Sequence, residues 1–385
     1  MRILHIIPYF FLSWSNGSPV ELVHELATYL SYLGHDVTIY TTDVFNKKLE
    51  PIGKHSSKLI NGYDYHVSEF ESLIGYPICF SPMLIKSIFK TSKDFDIIHL
   101  HEYRTIQNII ARYSANRSQI PYILEAHGSL QRINRKSIKT LYDKACGFDI
   151  LRDASRVIAI TETEAEEYES RGLNRRKIDV IPNAIDFKEF ENLPQIGKFK
   201  AEHGINNDKM ITYIGRLDNT KGIDLLIKSF SYIAKDLKNI KLIIAGKDYG
   251  AEYELRQLVS RLDLIDDVLF VGFLSKKSKI EALRDSNVFV TPSYYGFPHT
   301  FLEACACGIP IVTTTKGDML DWIDNNVGYR VAYDEIELAK SISKIITDDE
   351  LEKDFGSKAR SLAKEKFNWN VVIRDIDAAY KKAML

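Results

Sequence analysis

The chain has 385 residues, and its 51 Lys and Arg against 52 Asp and Glu give a formal net charge of −1. A hydrophobic share of 45% and a charged share of 27% are ordinary for a globular protein, and the length suits two cores better than one. No global positive field recruits polyanions, and the four cysteines form neither a C-x-x-C pair nor a zinc-like set with histidines, so nucleic acid and a bound metal are not expected. A reduced, cytoplasmic setting fits those cysteines.

The N-terminal run Met1–Leu12 is apolar, but it contains His5 and Pro8 and no small-residue cleavage site follows. It therefore reads as a buried first strand rather than a secretory signal. No run reaches the roughly 20 apolar residues of a membrane span. Strands are expected at Arg2–Ile7, Asp36–Thr42, Tyr63–Phe70, Asp96–His101, Tyr122–Ala126, Arg156–Thr161 and Asp179–Pro182. Several are continuous apolar runs, as parallel strands covered on both faces should be. Between the first two, Ser18-Pro19-Val20-Glu21 reads as a capping box. Leu22, Leu26, Leu30 and Leu33 follow as one apolar stripe, and Gly34 ends the helix. The polar segment from Ala184 to about Asp208, with Pro194 and Gly197, reads as a linker. A second strand series follows at Met210–Gly215, Lys241–Gly246, Val268–Phe273, Asn287–Pro292, Ile309–Thr314 and Gly328–Val331. The tail, Asn368 to Leu385, reads as an amphipathic helix. Two βαβ series imply an α/β protein with two doubly wound, Rossmann-like domains facing across a cleft, with ligands beyond the carboxyl ends of the strands.

Candidate functional residues cluster at those strand ends. The stretch Ser293–Gly308 follows a buried strand and opens a short helix, with Pro298 suited to the first helical position and Gly308 to the residue past the end. Free N–H groups at such a helix tip make an anion site, and Glu303 lies one turn in, within reach of a hydroxyl beside the anion. Gly215-Arg-Leu-Asp-Asn-Thr-Lys-Gly222 also joins a strand to a helix, and Arg216 and Lys221 offer two cations to a diphosphate. The alternative is a solvated loop with surface charges, and the order of residues is not that of a Walker A loop. Asn16-Gly17-Ser18 lets the backbone approach a ligand closely, or is a plain turn with a cap. It lacks the G-x-G-x-x-G fingerprint of a dinucleotide site. His127, beside Gly128, can point into the cleft and donate to a sugar hydroxyl. His99 and His101 share one strand face and read as packing and rim residues. From Met83 to Lys144 the chain nets +6, from eleven Lys/Arg and five Asp/Glu. Within it Arg132, Arg135, Lys136 and Lys139 form either an anionic-membrane contact or an ordinary solvated helix.

Gly215-Arg-Leu-Asp with Lys221-Gly222, Val180-Ile-Pro-Asn-Ala-Ile-Asp186, Ala126-His-Gly128, and Gly296-Phe297 with Glu303-Ala304 together resemble, in this order, the family 4 glycosyltransferases. That resemblance covers nearly the whole chain. It implies the GT-B fold, with an acceptor-side domain over 1–190 joined by the returning helix 367–385, and a donor domain over 205–366. It implies transfer of a sugar from a UDP- or GDP-sugar to a lipid-linked or polysaccharide acceptor with retention of configuration, without a metal or cofactor. By the same resemblance Arg216 and Lys221 hold the diphosphate and Glu303 the ribose. The N–H groups of His299, Thr300 and Phe301 cap a phosphate, His127 touches the donor sugar, and Gly17 lines the acceptor side. Tyr295 stands where the family carries a first Glu that touches the sugar, so Tyr295 and Phe297 become the candidate sugar contacts. A nucleotide-sugar epimerase of the same architecture and a binding protein without turnover are the competing readings.

Overall fold

A computed structural model describes residues 1–10, 18–44, 56–59, 65–131, 136–205 and 208–385. The chain divides into two compact units: Met1–Asn183 with Trp369–Leu385, and Ala184–Asn368. The Ala184–Asp208 segment, expected to be a linker, belongs to the second unit. Phe187, Phe190, Phe199 and Ile205 are buried there, and the Ile185 N–H donates to the Phe367 carbonyl at 2.9 Å. Its polar composition hides four apolar anchors.

In the first unit the strands are β1 (Arg2–Tyr9), β2 (Asp36–Thr42), β3 (Ser56–Leu59), β4 (Tyr65–Phe70), β5 (Ile97–His101), β6 (Tyr122–Glu125), β7 (Arg156–Ala159) and β8 (Ile178–Val180). They form one sheet in the order β3-β4-β2-β1-β5-β6-β7-β8, parallel except for β3, which pairs antiparallel with β4 and was not expected. The helix Ser18–Tyr32 buries Leu22, Leu26 and Leu30 as anticipated, but Leu33 lies past its end and is exposed. The terminal helix Trp369–Ala383 packs in this same unit, where the Trp369 indole lies 5.9 Å from the Tyr29 ring and donates to Glu25 Oε2 at 2.5 Å.

The second unit carries β9 (Lys209–Ile214), β10 (Ile240–Ala245), β11 (Val268–Gly272), β12 (Val288–Thr291), β13 (Ile311–Thr314) and β14 (Gly328–Val331). Its sheet runs β11-β10-β9-β12-β13-β14, all parallel. This is the doubly wound order 3-2-1-4-5-6, and it reverses between β9 and β12. Two loops far apart in sequence, after β9 and after β12, thereby become neighbours at the switch point.

Gly246 fixes the start of the β9 loop. Its φ is +149°, and a Cβ there would meet the Gly215 carbonyl oxygen at 1.7 Å. Only glycine lets the end of β10 close on Gly215. Gly246→Ala should destabilise the second unit by at least about 1–3 kcal/mol from the backbone conformation alone. A lowered thermal midpoint checks this; an unchanged one contradicts the close approach.

Candidate active site

The helix His299–Cys307 begins directly after the β12 loop, one residue later than expected, with Pro298 as its cap (φ −66°, ψ 126°) and Gly308 at φ +75° closing its end. The Phe301 N–H turns back to the Pro298 carbonyl at 3.1 Å. A helix start offers an anion its first-turn N–H groups, here those of His299 and Thr300. The Phe301 side chain is buried against Tyr294, 5.0 Å between ring centroids, so it serves packing rather than a ligand. Phe297, expected to touch a sugar, is likewise a core residue, its ring 5.7 Å from Trp322 and 5.2 Å from Phe367. Tyr295 is half-buried, and Lys221 Nζ lies 5.9 Å from its ring centroid.

The loop after β9 is held by its own groups. Asp218 Oδ1 accepts from the Thr220 N–H at 2.8 Å, the Leu217 N–H donates to the Lys247 carbonyl at 2.9 Å, and buried Leu217 pins the middle of the loop. The Arg216 side chain is 57% exposed; it sits 3.7 Å from Asp218 Oδ2 with its guanidinium carbon 5.4 Å from the Tyr249 centroid. Burial and the positive charge of Arg216 both pull the Lys221 ammonium below its ordinary range, and Asp218 only partly opposes them. Two cations that disfavour each other, on a loop beside a helix start, are stabilised by an anion between them.

Glu303 is buried, with 1% of its side chain exposed. Burial pushes its carboxyl up, but the Lys279 ammonium and the His299 ring outweigh that and hold it down to about 2. Lys279, on the helix Lys276–Asp285, forms an ion pair with Glu303 Oε1, and His299 Nδ1 lies 3.7 Å from the same oxygen. Oε2 has no hydrogen-bond partner among the described residues. The carboxylate is thus not an open arm, as the sequence suggested, but a fixed anion with one acceptor atom to spare. Sequence reasoning missed Lys279, since its distance from Glu303 along the chain matches no recognisable spacing.

In the first unit, Asn16 and Gly17 lie outside the described residues, as do Arg132 and Arg135. Lys136 opens the helix Lys136–Tyr142, and half-buried Lys139 donates to the Gln131 carbonyl at 3.1 Å. His127 adopts a left-handed backbone, φ +51°, and Gly128, at +77°, donates its N–H to Glu164 Oε1 at 2.8 Å. The imidazole was expected to face a ligand; here 4% of the side chain is exposed. His127 Nε2 meets His101 Nδ1 at 2.9 Å, and His101 Nε2 meets His5 Nδ1 at 2.8 Å. Adjacent rings in this row lie within 10° and 15° of parallel. Glu125 is flanked by His127 Nδ1 at 3.3 Å and His99 Nε2 at 3.4 Å, and His99 Nδ1 meets the Tyr380 hydroxyl at 2.8 Å. The register explains the gathering: His5 is paired with His99 across β1 and β5, and His101 with Glu125 across β5 and β6. One tautomer set suits an ionised Glu125. His99 Nε2–H and His127 Nδ1–H face the carboxylate, the Tyr380 hydroxyl donates to His99 Nδ1, and His101 and His5 each donate from Nδ1 along the row. His99 and His101 are therefore linked core groups, not rim residues.

Two predictions follow from these buried charges. Lys279→Met should cost about 3–5 kcal/mol, because the buried carboxylate loses its counter-charge. In the wild type the ionised form of Glu303 adds stability that is present above pH 4.5 and lost as pH falls toward about 2. Without Lys279, burial raises the carboxyl instead, so the variant should lose stability as pH rises above 4.5, and Glu303→Gln on top should restore part of it. Denaturant titrations of both variants across pH check the sign.

The histidine row makes the opposite demand. Burial lowers all four imidazoles from 6.5, His99 to about 3, so the unfolded chain takes up protons that the folded one refuses. Their contribution is full above pH 6.5 and falls as pH drops below it, each ring costing about 1.4 kcal/mol per pH unit. Glu125, raised by burial, offsets this with one group against four. Acid unfolding of the first unit should begin near pH 5–6 by this reckoning, and a midpoint that stays flat down to pH 4 would refute the neutral row.

Comparison with known proteins gives the family. Residues 20–189 match the family Glycosyltransferase Family 4, and residues 195–362 match Glycosyl transferases group 1. Similar proteins include the uncharacterised glycosyltransferase MJ1069 of Methanocaldococcus jannaschii, 25% identical over 98% of this chain and 97% of its own. Phosphatidyl-myo-inositol mannosyltransferase of Mycolicibacterium smegmatis is 23% identical over 99% of this chain and 94% of its own. Among solved structures, Anabaena HepE in complex with UDP and glucose superposes with a TM-score of 0.78 at 19% identity, covering 99% of both chains. With family matches on both halves and two parallel α/β units, the chain belongs to the group 1, family 4 glycosyltransferases of GT-B fold.

Proposed function

We propose that this glycosyltransferase moves a sugar from a UDP- or GDP-sugar to a hydroxyl of a lipid-linked or polysaccharide acceptor, with retention of configuration. The observation that carries the donor side is the strand-end pairing in the second unit. Arg216 and Lys221 lie on the loop after β9, and the helix start at His299 follows the neighbouring strand β12. The diphosphate lies against these cations and the His299 and Thr300 N–H groups, and Glu303 Oε2 accepts from a ribose hydroxyl. That solved relatives hold UDP or UDP-glucose supports a nucleotide sugar as donor. The name of the mycobacterial mannosyltransferase, an enzyme of phosphatidyl-myo-inositol, supports a lipid acceptor.

In this reading the bond from the anomeric carbon to the β-phosphate oxygen breaks while the acceptor oxygen bonds the same carbon on the same face. The acceptor proton passes to the departing phosphate oxygen. Negative charge grows on that oxygen, and Arg216 and Lys221 stabilise it without a metal or cofactor. Tyr295 leaves no carboxylate at the family's first Glu position, which favours this front-face route over a covalent sugar intermediate. His127 is the first-unit side chain that meets the donor sugar. Among the described residues no helix is long and apolar enough to cross a membrane. We place the enzyme at the cytoplasmic face, with the basic segment Arg132, Arg135, Lys136 and Lys139 toward anionic lipid.

A panel of UDP- and GDP-sugars with lipid and glycan acceptors tests the reading. Nucleotide released only with acceptor, and a product of unchanged anomeric configuration by NMR, are expected. Interconversion of the donor sugar would mean an epimerase, and tight binding without turnover a binding protein. Arg216→Ala and Lys221→Ala should each lower kcat by about 10²–10³-fold, roughly 2.7–4 kcal/mol. Unchanged nucleotide affinity by calorimetry in Lys221→Ala would remove the diphosphate from this loop.

A further inference from the structure

His5 and His101 lie far inside the first unit, yet they decide which nitrogen of His127 carries a hydrogen. His5, His99 and His101 are fully buried, and burial keeps them and His127 neutral at ordinary pH. A neutral imidazole has one hydrogen and one lone pair. His101 is bonded at both nitrogens, to His5 at 2.8 Å and to His127 at 2.9 Å, so it donates through one and accepts through the other.

Both ends of the row favour the same sense. At one end Glu125 is an acceptor, with Oε1 3.3 Å from His127 Nδ1 and Oε2 3.4 Å from His99 Nε2. The Tyr380 hydroxyl donates to His99 Nδ1 at 2.8 Å and leaves the His99 hydrogen on the side of the carboxylate. The His127 hydrogen then sits on Nδ1, its Nε2 accepts from His101 Nδ1, and His101 Nε2 accepts from His5 Nδ1. At the other end, His5 Nε2 has no hydrogen-bond partner among the described residues. The opposite sense would bury an N–H there without an acceptor and set a lone pair of His127 against the carboxylate.

The Nδ1 hydrogen of His127 is not fully used. At 3.3 Å Glu125 lies beyond a firm N–H···O bond, and Nδ1 has no hydrogen-bond partner among the described residues. His127 and Glu125 line a small cavity with Pro182 and Asn183, just past β8, so the pair borders space rather than solid packing.

We propose that His5 and His101 are positioning residues for sugar transfer: donating along the row, they hold His127 in the Nδ1–H form, which gives its hydrogen to an oxygen of the donor sugar. In this role, which rests on the reading of His127 as a sugar contact, neither His5 nor His101 touches the sugar. The hydrogen bond from His127 strengthens as charge redistributes in the transition state, so a wrong tautomer is felt in turnover more than in binding.

The test joins nitrogen NMR of the full chain, labelled at its histidine rings, to transfer kinetics. In the wild type His5, His101 and His127 should all carry the hydrogen on Nδ1. An Nε2–H form at any of the three overturns the proposal, whether or not the variants fold. Asn and Asp match in size, but only the Asn amide has a hydrogen to give His101 Nε2. His5→Asn should leave the His127 hydrogen on Nδ1 and keep most of the turnover. His5→Asp should draw the His101 hydrogen to Nε2 and move that of His127 to Nε2. Its kcat should fall about 10²-fold, the scale of one lost donor, with the donor KM and UDP affinity close to wild type. Equal circular dichroism certifies the fold of both variants. A His127 hydrogen that stays on Nδ1 in His5→Asp overturns the relay, and so does a tautomer change without loss of kcat. A wild-type rate in His127→Ala would instead remove the sugar contact itself. Zinc at one per chain in the purified protein would also overturn the row, by making a ligand set of His5, His99 and His101, whose nitrogens lie within 4.8 Å of one another.

Discussion

A parallel strand must hand over to a helix, and it does so at its carboxyl end, where backbone donors and loop side chains are left without strand partners. In the second unit the reversal of strand order sets the β9 and β12 handovers side by side. Arg216 and Lys221 come from one and the His299 helix start from the other. The proposed diphosphate site draws on both loops. The close approach of Gly246 to Gly215 shows how tightly the handover is made, since there is no space for even one added carbon.

The same geometry governs what is buried in the first unit. Parallel register places His5, His99, His101 and Glu125 on one face, and the covering helix Trp369–Ala383 supplies Tyr380. A buried imidazole without a partner is costly, so the groups answer one another. In the second unit the buried anion, Glu303, is answered by a cation, Lys279. One network is neutral by burial and the other is charged by pairing, and they respond to acid in different ranges.

Most of the architecture was legible in the sequence because parallel strands leave continuous β-branched runs between helical stretches. The loops of Arg216, Lys221 and Glu303 were legible because glycine and proline punctuate them. What was missed depends on distance along the chain. The antiparallel β3 has little pattern of its own, and Phe187, Phe190 and Phe199 were too thinly spread to mark buried structure in a polar segment. Phe297 was a candidate sugar contact from its place beside Tyr295 in the family motif, yet its ring packs on Trp322 and Phe367. His127 looked free because its partner ring, at position 101, comes from a different strand. The pairing of Lys279 with Glu303 needs the folded chain to bring two helices together.

The row of three imidazoles has one more property. Because each ring offers one hydrogen and one lone pair, His5, His101 and His127 must all point their protons the same way. Reversing one requires reversing all, as dominoes fall. The protonation of the loop that ends β6 is therefore written partly in β1, and a change at position 5 is felt at position 127 with no backbone movement between them.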